Sequence, residues 1–229
     1  MARSGRVMAL GPAHLAKVAR PVEEGPLPDS FARLSDEDFK ALAARLVAEL
    51  EGQPFWIFAY GSLIWNPEFE HVEARRGTVH GWRRSFCLPI DNWRATPEIP
   101  GLMLALERGG SCTGVAYRMP DDDAVGRMLR LLRREIAYHE NVAWLRWVTV
   151  RGPWGLLRAL AFYCAPPSIP DLERLTREEQ AHRLARAVGF MGSCAEYLHN
   201  TVDHLEALGI HDRYLWDLQV RVAAEIDGL

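Results

Sequence analysis

Three textures of hydrophobic and polar positions follow one another along the chain. The first is helical: Phe39, Leu42, Ala43, Leu46 and Leu50 recur at three- and four-residue spacing and predict an amphipathic helix over 36–51. Ser35-Asp36-Glu37-Asp38 stands before it as a capping-box-like start, and Gly52 ends it. The second texture is a continuous apolar run, Phe55-Trp56-Ile57-Phe58-Ala59-Tyr60, whose strand-forming residues predict a buried strand. Gly61-Ser62 breaks that run, and Asn66-Pro67 closes the segment with a turn. The third texture fills 70–119. Val79, Trp82, Phe86 and Leu88 sit among turn breaks at Gly77 and Gly81, and apolar runs at 101–106 and 113–119 flank Gly109-Gly110-Ser111, a hairpin signature.

Helices and strands then alternate. Asp121-Asp122-Asp123 suits a helix N-terminus, and Val125, Met128, Leu129, Leu132 and Ile136 give that helix an apolar face. Strands are predicted over 144–150 and 158–164. Thr176-x-x-Glu179 is a second capping box, opening a helix with Ala181, Leu184, Ala185 and Val188, which Gly189 to Gly192 break. Leu198, Val202 and Leu205 mark a final long helix before Gly209. Residues 1 to about 34, with Arg20-Pro21, Gly25-Pro26 and Pro28, read as an extended arm. Five to seven short strands with glycine-rich turns predict an α+β protein built on a small mixed β-barrel with flanking helices. No repeat, low-complexity tract or linker divides the chain, so residues 1–50 are expected to be an arm and helix packed on the core, and 51–229 a single domain.

Composition narrows the function. With 229 residues and 48% hydrophobic content, the chain can bury a sizeable core. A formal net charge of −3 gives no electrostatic footprint for nucleic acid or an anionic membrane surface. No apolar run approaches the roughly 20 residues of a membrane span, and Met1 to Leu10 lacks a signal-peptide core, so a cytoplasmic location is expected. Cys87, Cys112, Cys164 and Cys194 form no Cys-x-x-Cys pair, and His199 and His204 are poorly spaced for one helical face. The thiols are expected to be reduced and buried, and no metal site or other cofactor is expected.

Two places carry candidate chemistry. A glycine directly after a buried strand can turn the backbone so that successive N–H groups face one small space, a nest that binds anions without a positive side chain. A strand ending in a tight turn explains Gly61-Ser62 as well. Glu135 lies about 80° from the centre of its helix's apolar stripe, on the edge of the buried face. Desolvation there raises a carboxyl's pKa toward the range useful for proton transfer, while an ion pair with Arg134 is the competing explanation. Arg130, Arg133 and Arg134 are expected to reach solvent.

The words Tyr60-Gly61-Ser62-Leu63 after an apolar strand, followed by Ile64-Trp65-Asn66-Pro67, resemble the substrate loop of the ChaC-like, glutathione-specific γ-glutamylcyclotransferases. Arg134-Glu135 resembles that family's acid/base position. Gly81-Trp-Arg-Arg-Ser-Phe-Cys87, Thr96-Pro-Glu-Ile-Pro-Gly-Leu102, Gly109 to Tyr117, Gly192-Ser193 with Glu196-Tyr-Leu198, and Leu208-Gly-Ile-His-Asp212 resemble further family blocks in order, from about residue 54 to the C-terminus. Ala59 and Ala95 depart from the family, standing where glycines are common. An alanine at 59 requires a position with no need of positive φ.

The resemblance implies a γ-glutamylcyclotransferase-like fold and a lyase that cleaves glutathione to 5-oxoproline and cysteinylglycine, with no metal, nucleotide or other cofactor. It implies Glu135 as the acid/base group and Ala59, Tyr60, Gly61, Ser62, Leu63, Ile64 and Tyr197 around the substrate. Tyr60 would pack under the loop and fix its shape with its hydroxyl. Tyr197 is read either as a hydrogen-bonding residue or as packing, and Arg83 and Arg84 either as attracting the glycyl carboxylate or as a solvated strand edge. A nucleophilic role for Cys194 lacks a histidine partner. Cyclotransferases for other γ-glutamyl amines, and a non-catalytic regulatory protein on the same fold, are the alternatives. No nucleic-acid or membrane partner is implied, and oligomeric state is left open.

Overall fold

The computed structural model describes residues 6–25, 32–165 and 175–229. Along the chain come α1 (Pro12–Val18), α2 (Asp36–Ala48), β1 (Trp56–Ala59), α3 (Ser62–Trp65), β2 (Glu73–Ile90) and β3 (Gly101–Arg118). Then come α4 (Ala124–Glu135), α5 (His139–Val142), β4 (Arg146–Gly152), β5 (Gly155–Ala161) and α6 (Arg177–Arg186). A two-stranded ribbon, β6 (Val188–Gly189) and β7 (Gly192–Ser193), precedes α7 (Cys194–Ala207) and α8 (Arg213–Asp227). The described residues group into two compact units, one holding 32–83 and 106–165, the other 6–25, 84–105 and 175–229.

The first unit is built on the closed barrel, in the strand order β1-β3-β2-β4-β5. β1 runs antiparallel to β3, with Ala59 opposite Val115, and closes the ring by a parallel contact of Ile57 with Leu160 of β5. β4 pairs antiparallel with β5 and with β2. The barrel is therefore mixed, as the sequence predicts. All four residues of β1 are buried, which explains its unbroken apolar run. Ser35 and Asp38 form the capping box that starts α2, and the buried Phe39, Leu42, Ala43 and Leu46 turn α2 against α4.

Two expectations about glycines fail here. Gly109 and Gly110 do not turn a hairpin, since they lie inside the single 18-residue strand β3. Gly81 likewise sits inside the 18-residue β2. Gly81, Gly109 and Gly110 have positive φ, 83°, 100° and 69°. Positive-φ glycines can reverse a chain or break the extended line of a strand; with pairing partners on a curved barrel, the second use prevails.

The second unit is mainly helical. The predicted box of Thr176 and Glu179 starts α6, whose Ala181, Leu184 and Ala185 are buried. Gly189 and Gly192 break that helix by forming the β6–β7 ribbon. α7 is not the last helix. α8 comes after Gly209 with its own buried stripe of Leu215, Leu218, Val222 and Ile226 and an Asp212 N-cap, both of them signals present in the sequence. The described part of the N-terminal arm is not wholly extended: Pro12 opens the short α1. Leu10 N–H donates to Gln219 Oε1 at 2.8 Å and Lys17 Nζ to the Ile226 carbonyl at 2.7 Å, fixing this segment along α8. Pro26 and Pro28 of the predicted arm lie outside the described residues.

Candidate active site

The loop after β1 leaves the barrel at a close backbone contact. A Cβ built on Gly114 would stand 2.3 Å from the Ala59 carbonyl oxygen and 2.8 Å from the Phe58 ring, so only glycine lets β3 pass there. Ala59 is fully buried strand backbone and is not among the positive-φ residues, nor is Ala95; neither departure from glycine meets a conformational obstacle. Beyond Tyr60 the chain winds into the single turn of α3, with Gly61 as its N-cap. The Leu63 and Ile64 side chains pack inward, while Ser62 is partly exposed.

Tyr60 packs inward from the end of β1. Its ring is buried and stacks on Phe58, with 6.5 Å between centroids, and its hydroxyl donates to the Phe162 carbonyl at 2.9 Å. The next residue, Tyr163, has φ of 51°, an outlier for a bulky side chain. Its hydroxyl donates to the backbone carbonyl of Glu135 at 2.6 Å. The 162–163 segment therefore ties Tyr60 to the end of α4 through two consecutive residues. No pattern in the sequence marks Tyr163 for this.

Glu135 is the last residue of α4, and the helix turns it further inward than the sequence suggests. The buried residues of α4 are Met128, Leu131 and Leu132, whereas Val125 is 43% exposed. About that face, Glu135 falls within about 20° of the centre rather than near its edge. Its side chain is 12% exposed. Burial pushes its carboxyl up to about 7 from an ordinary 4.5; the Arg134 charge works against this rise and the Glu68 charge works with it.

Arg134 departs from expectation. Arg130 and Arg133 are exposed, but the Arg134 side chain is only 18% exposed. Its Nε lies 3.1 Å from Glu135 Oε1 and 3.9 Å from Glu68 Oε2. Its two terminal nitrogens donate to the main-chain carbonyls of Asn66 and Pro67, just past α3. The ion pair and the buried acid, posed by the sequence as alternatives, coexist. Arg134 also lines a cavity of about 390 Å³, together with Phe69, Met119, Arg127 and Arg130 among others. Arg127 there is already paired with Glu70 at 3.2 Å and Asp122 at 2.9 Å.

The remaining candidates separate. Tyr197 belongs to the helical unit, on α7, where it is 4% exposed, lies edge-on to Phe86 at 6.0 Å and has Arg94 over its ring at 5.7 Å. Arg83 is exposed and pairs with Glu107 at 2.9 Å. Arg84 is no solvated edge: its side chain is 1% exposed and pairs with Asp212 at 2.9 Å. The Cys194 thiol is buried and pushed up to about 11 by that burial, which is poor preparation for a nucleophile. Among the described residues, no group of three His, Cys, Asp or Glu could hold a metal ion.

Comparison with known proteins identifies the family. A family model described as ChaC-like protein matches residues 55–225. The chain is 36% identical over 199 residues to the glutathione-specific γ-glutamylcyclotransferase of Escherichia coli K12, covering 86% of this chain and 85% of that protein. It is 28% identical over 193 residues to the human glutathione-specific γ-glutamylcyclotransferase 1, covering 82% and 81%. A crystal structure of a glutathione-specific γ-glutamyl cyclotransferase from yeast shares the fold at a TM-score of 0.65 and 21% identity, over 75% of this chain and 96% of that one. With the family model matched over residues 55–225 and a relative 36% identical across most of both chains, the chain belongs to the ChaC-like family.

Proposed function

We propose that the protein is a glutathione-specific γ-glutamylcyclotransferase that releases 5-oxoproline and cysteinylglycine. The family match and the names of the relatives support the substrate class. The observation that carries the mechanism is Glu135, a carboxyl pushed up to about 7 by burial at the inner face of its helix. Such a group takes and returns a proton near neutral pH.

The substrate brings its own nucleophile. Glu135 removes a proton from the α-ammonium of the γ-glutamyl group, and the freed amine attacks the γ-carbonyl to form the C–N bond of a five-membered lactam. The C–N bond to the cysteine nitrogen breaks as that nitrogen receives the proton from Glu135, and the second proton shed by the ring nitrogen ends on the released amine, which leaves as an ammonium. No water is consumed, and the carboxylate is regenerated. Because the reaction is intramolecular, holding the bent conformer supplies much of the rate. The backbone N–H groups of Gly61, Ser62 and Leu63 are the proposed cradle for the α-carboxylate or the developing oxyanion, flanked by Ala59, Tyr60 and Ile64. Tyr197 is the proposed hydrogen-bonding residue from the helical unit. A cytoplasmic setting suits the four buried free thiols.

The test is incubation of the purified protein with reduced glutathione, without added metal or nucleotide, and then detection of both products. Wild-type protein is expected to make them, and Glu135→Gln to lose roughly 10²–10⁴-fold in kcat while staying folded. A folded wild-type protein that cleaves only other γ-glutamyl amines overturns the substrate assignment. A Glu135→Gln variant with wild-type turnover overturns the role of the carboxyl.

A further inference from the structure

We infer that Arg134 is a positioning residue that locks the end of the substrate loop to the proton-transfer carboxylate, through one guanidinium bonded to Asn66, Pro67 and Glu135. The inference rests on the proposed reaction and adds to it the part that sets loop and base in fixed relation.

The geometry of the three contacts carries it. The terminal nitrogens of Arg134 donate to two successive carbonyls, those of Asn66 and Pro67, and Nε faces Glu135 Oε1 at 3.1 Å. A planar guanidinium presents its donors in a fixed fork, so binding two carbonyls on one side sets the direction of Nε on the other. The α3 turn is short, with its last backbone bond from Asn66 N–H to the Ser62 carbonyl at 2.7 Å. Past that bond, Arg134 holds the backbone. Both ends of the 60–67 segment are thus tied to the Glu135 end of α4. Tyr60 is tied through the 162–163 segment, and Asn66-Pro67 through Arg134. With Oε1 engaged by the guanidinium, proton transfer falls to Oε2.

Lysine cannot replace this arrangement. An ammonium is a point charge without a fork, and it can face the carboxylate or the carbonyls but does not fix their relative directions. Charge and positioning are therefore separable by substitution. The charged and titratable groups that meet Glu135 in the described contacts are Arg134 on its own helix, Glu68 after α3, and the Tyr163 hydroxyl on its backbone carbonyl. Arg134 favours the ionised carboxylate and Glu68 opposes it, so removing either has a known sign.

The experiment compares Arg134→Gln, Arg134→Lys and Glu68→Gln with wild type in two readouts. One is the pH profile of kcat/KM. The other is the ¹³C NMR titration of the Glu135 carboxyl, assigned with Glu135→Gln, which needs no turnover. Arg134→Gln is expected to move the acid limb and the titration up by about one pH unit or more, and to lower kcat/KM on the order of 10²-fold. Arg134→Lys should leave the titration near wild type yet stay roughly tenfold down in kcat/KM, because the fork is gone. Glu68→Gln should move the titration down. An Arg134→Gln titration that coincides with wild type, or full kinetic rescue by lysine, overturns the inference. Should wild type fail to turn over glutathione while the titrations shift as stated, the proposed function falls and the coupling of Arg134 to Glu135 stands.

Discussion

Among the described residues, two largely buried arginine–carboxylate pairs have similar length and opposite construction. In the helical unit, Arg84 Nη1 meets Asp212 Oδ2 at 2.9 Å. The other oxygen, Asp212 Oδ1, accepts from the backbone N–H groups of Tyr214 and Leu215, both at 3.1 Å, as the N-cap of α8. A negative charge at a helix N-terminus is favoured by unpaired donors and by the dipole. In the barrel unit, Arg134 meets Glu135 at 3.1 Å, but Glu135 is the last residue of α4, where the dipole presents its negative end, and Glu68 adds a second acid. One carboxylate is met by an arginine and by two backbone N–H donors at the start of a helix. The other is buried where ionisation is opposed, with one cation to moderate the effect. Similar contact distance says little about what an ion pair does; the location of each carboxylate on its helix sets the two pairs apart.

The largest effect that would sharpen this contrast is at the structural pair. Asp212→Ala leaves the nearly inaccessible Arg84 guanidinium without its carboxylate and removes the cap of α8. The expected cost is about 3–5 kcal/mol for breaking the buried pair and about 1 kcal/mol for the cap, read from urea unfolding. Asp212→Asn keeps a capping oxygen and should recover the smaller part. Neither should displace the acid limb of the pH profile. A loss below about 1 kcal/mol for Asp212→Ala would show that Arg84 does not depend on this partner, and the comparison would collapse from the structural side.

The second effect is opposite in sign and sits at Glu135. Its folded-state value, about 7, lies above the ordinary 4.5, so the folded protein binds more protons than the unfolded chain between those limits. Stability therefore falls as pH rises from 4.5 through 7, and above 7 the full cost applies, about 3 kcal/mol. Glutamine has the same shape and no charge, and Arg134 keeps its two carbonyls. Glu135→Gln should be more stable than wild type at pH 8 by up to that amount, and indistinguishable from it at pH 4.5. Thermal unfolding at the two pH values decides. Equal stability at both would mean that Glu135 is not held at a cost, and the site would then resemble the Arg84–Asp212 pair.

Periodicity reads elements whose faces are simple and misreads those whose geometry is set from elsewhere. The α2 stripe, both capping boxes and the apolar β1 are legible because each depends on neighbours within a few residues. Gly109 and Gly110 mislead because the same φ serves a hairpin or a break within a barrel strand, and strand pairing decides between them. At the site, Tyr60 and Glu135 stand out as residue types in context. Arg134 is visible as a possible ion-pair partner, but its hold on Asn66 and Pro67 spans 68 and 67 positions of sequence and has no local signature. Tyr163 lies inside a predicted strand that ends two residues earlier, and its left-handed φ of 51° has no signal in the residues around it.

The smallest effect concerns Ala59, the family's usual glycine. Two backbones meet here: Ala59 carries its Cβ in extended conformation opposite Val115, while Gly114 cannot carry one without striking the Ala59 carbonyl. The close approach that demands a glycine is therefore met from β3, and β1 is free to gain a methyl group that stiffens the strand entering the loop. Ala59→Gly should cost about 0.5–1 kcal/mol through added freedom in the unfolded chain and a lost buried methyl. It should leave kcat/KM for glutathione within a factor of about two, since about 0.4 kcal/mol is all that factor represents. Steady-state kinetics beside urea unfolding measure both quantities. A several-fold rise in kcat/KM would mean that the methyl restricts the loop, and that the ties through Tyr60 and Arg134 hold it in a geometry short of the best one.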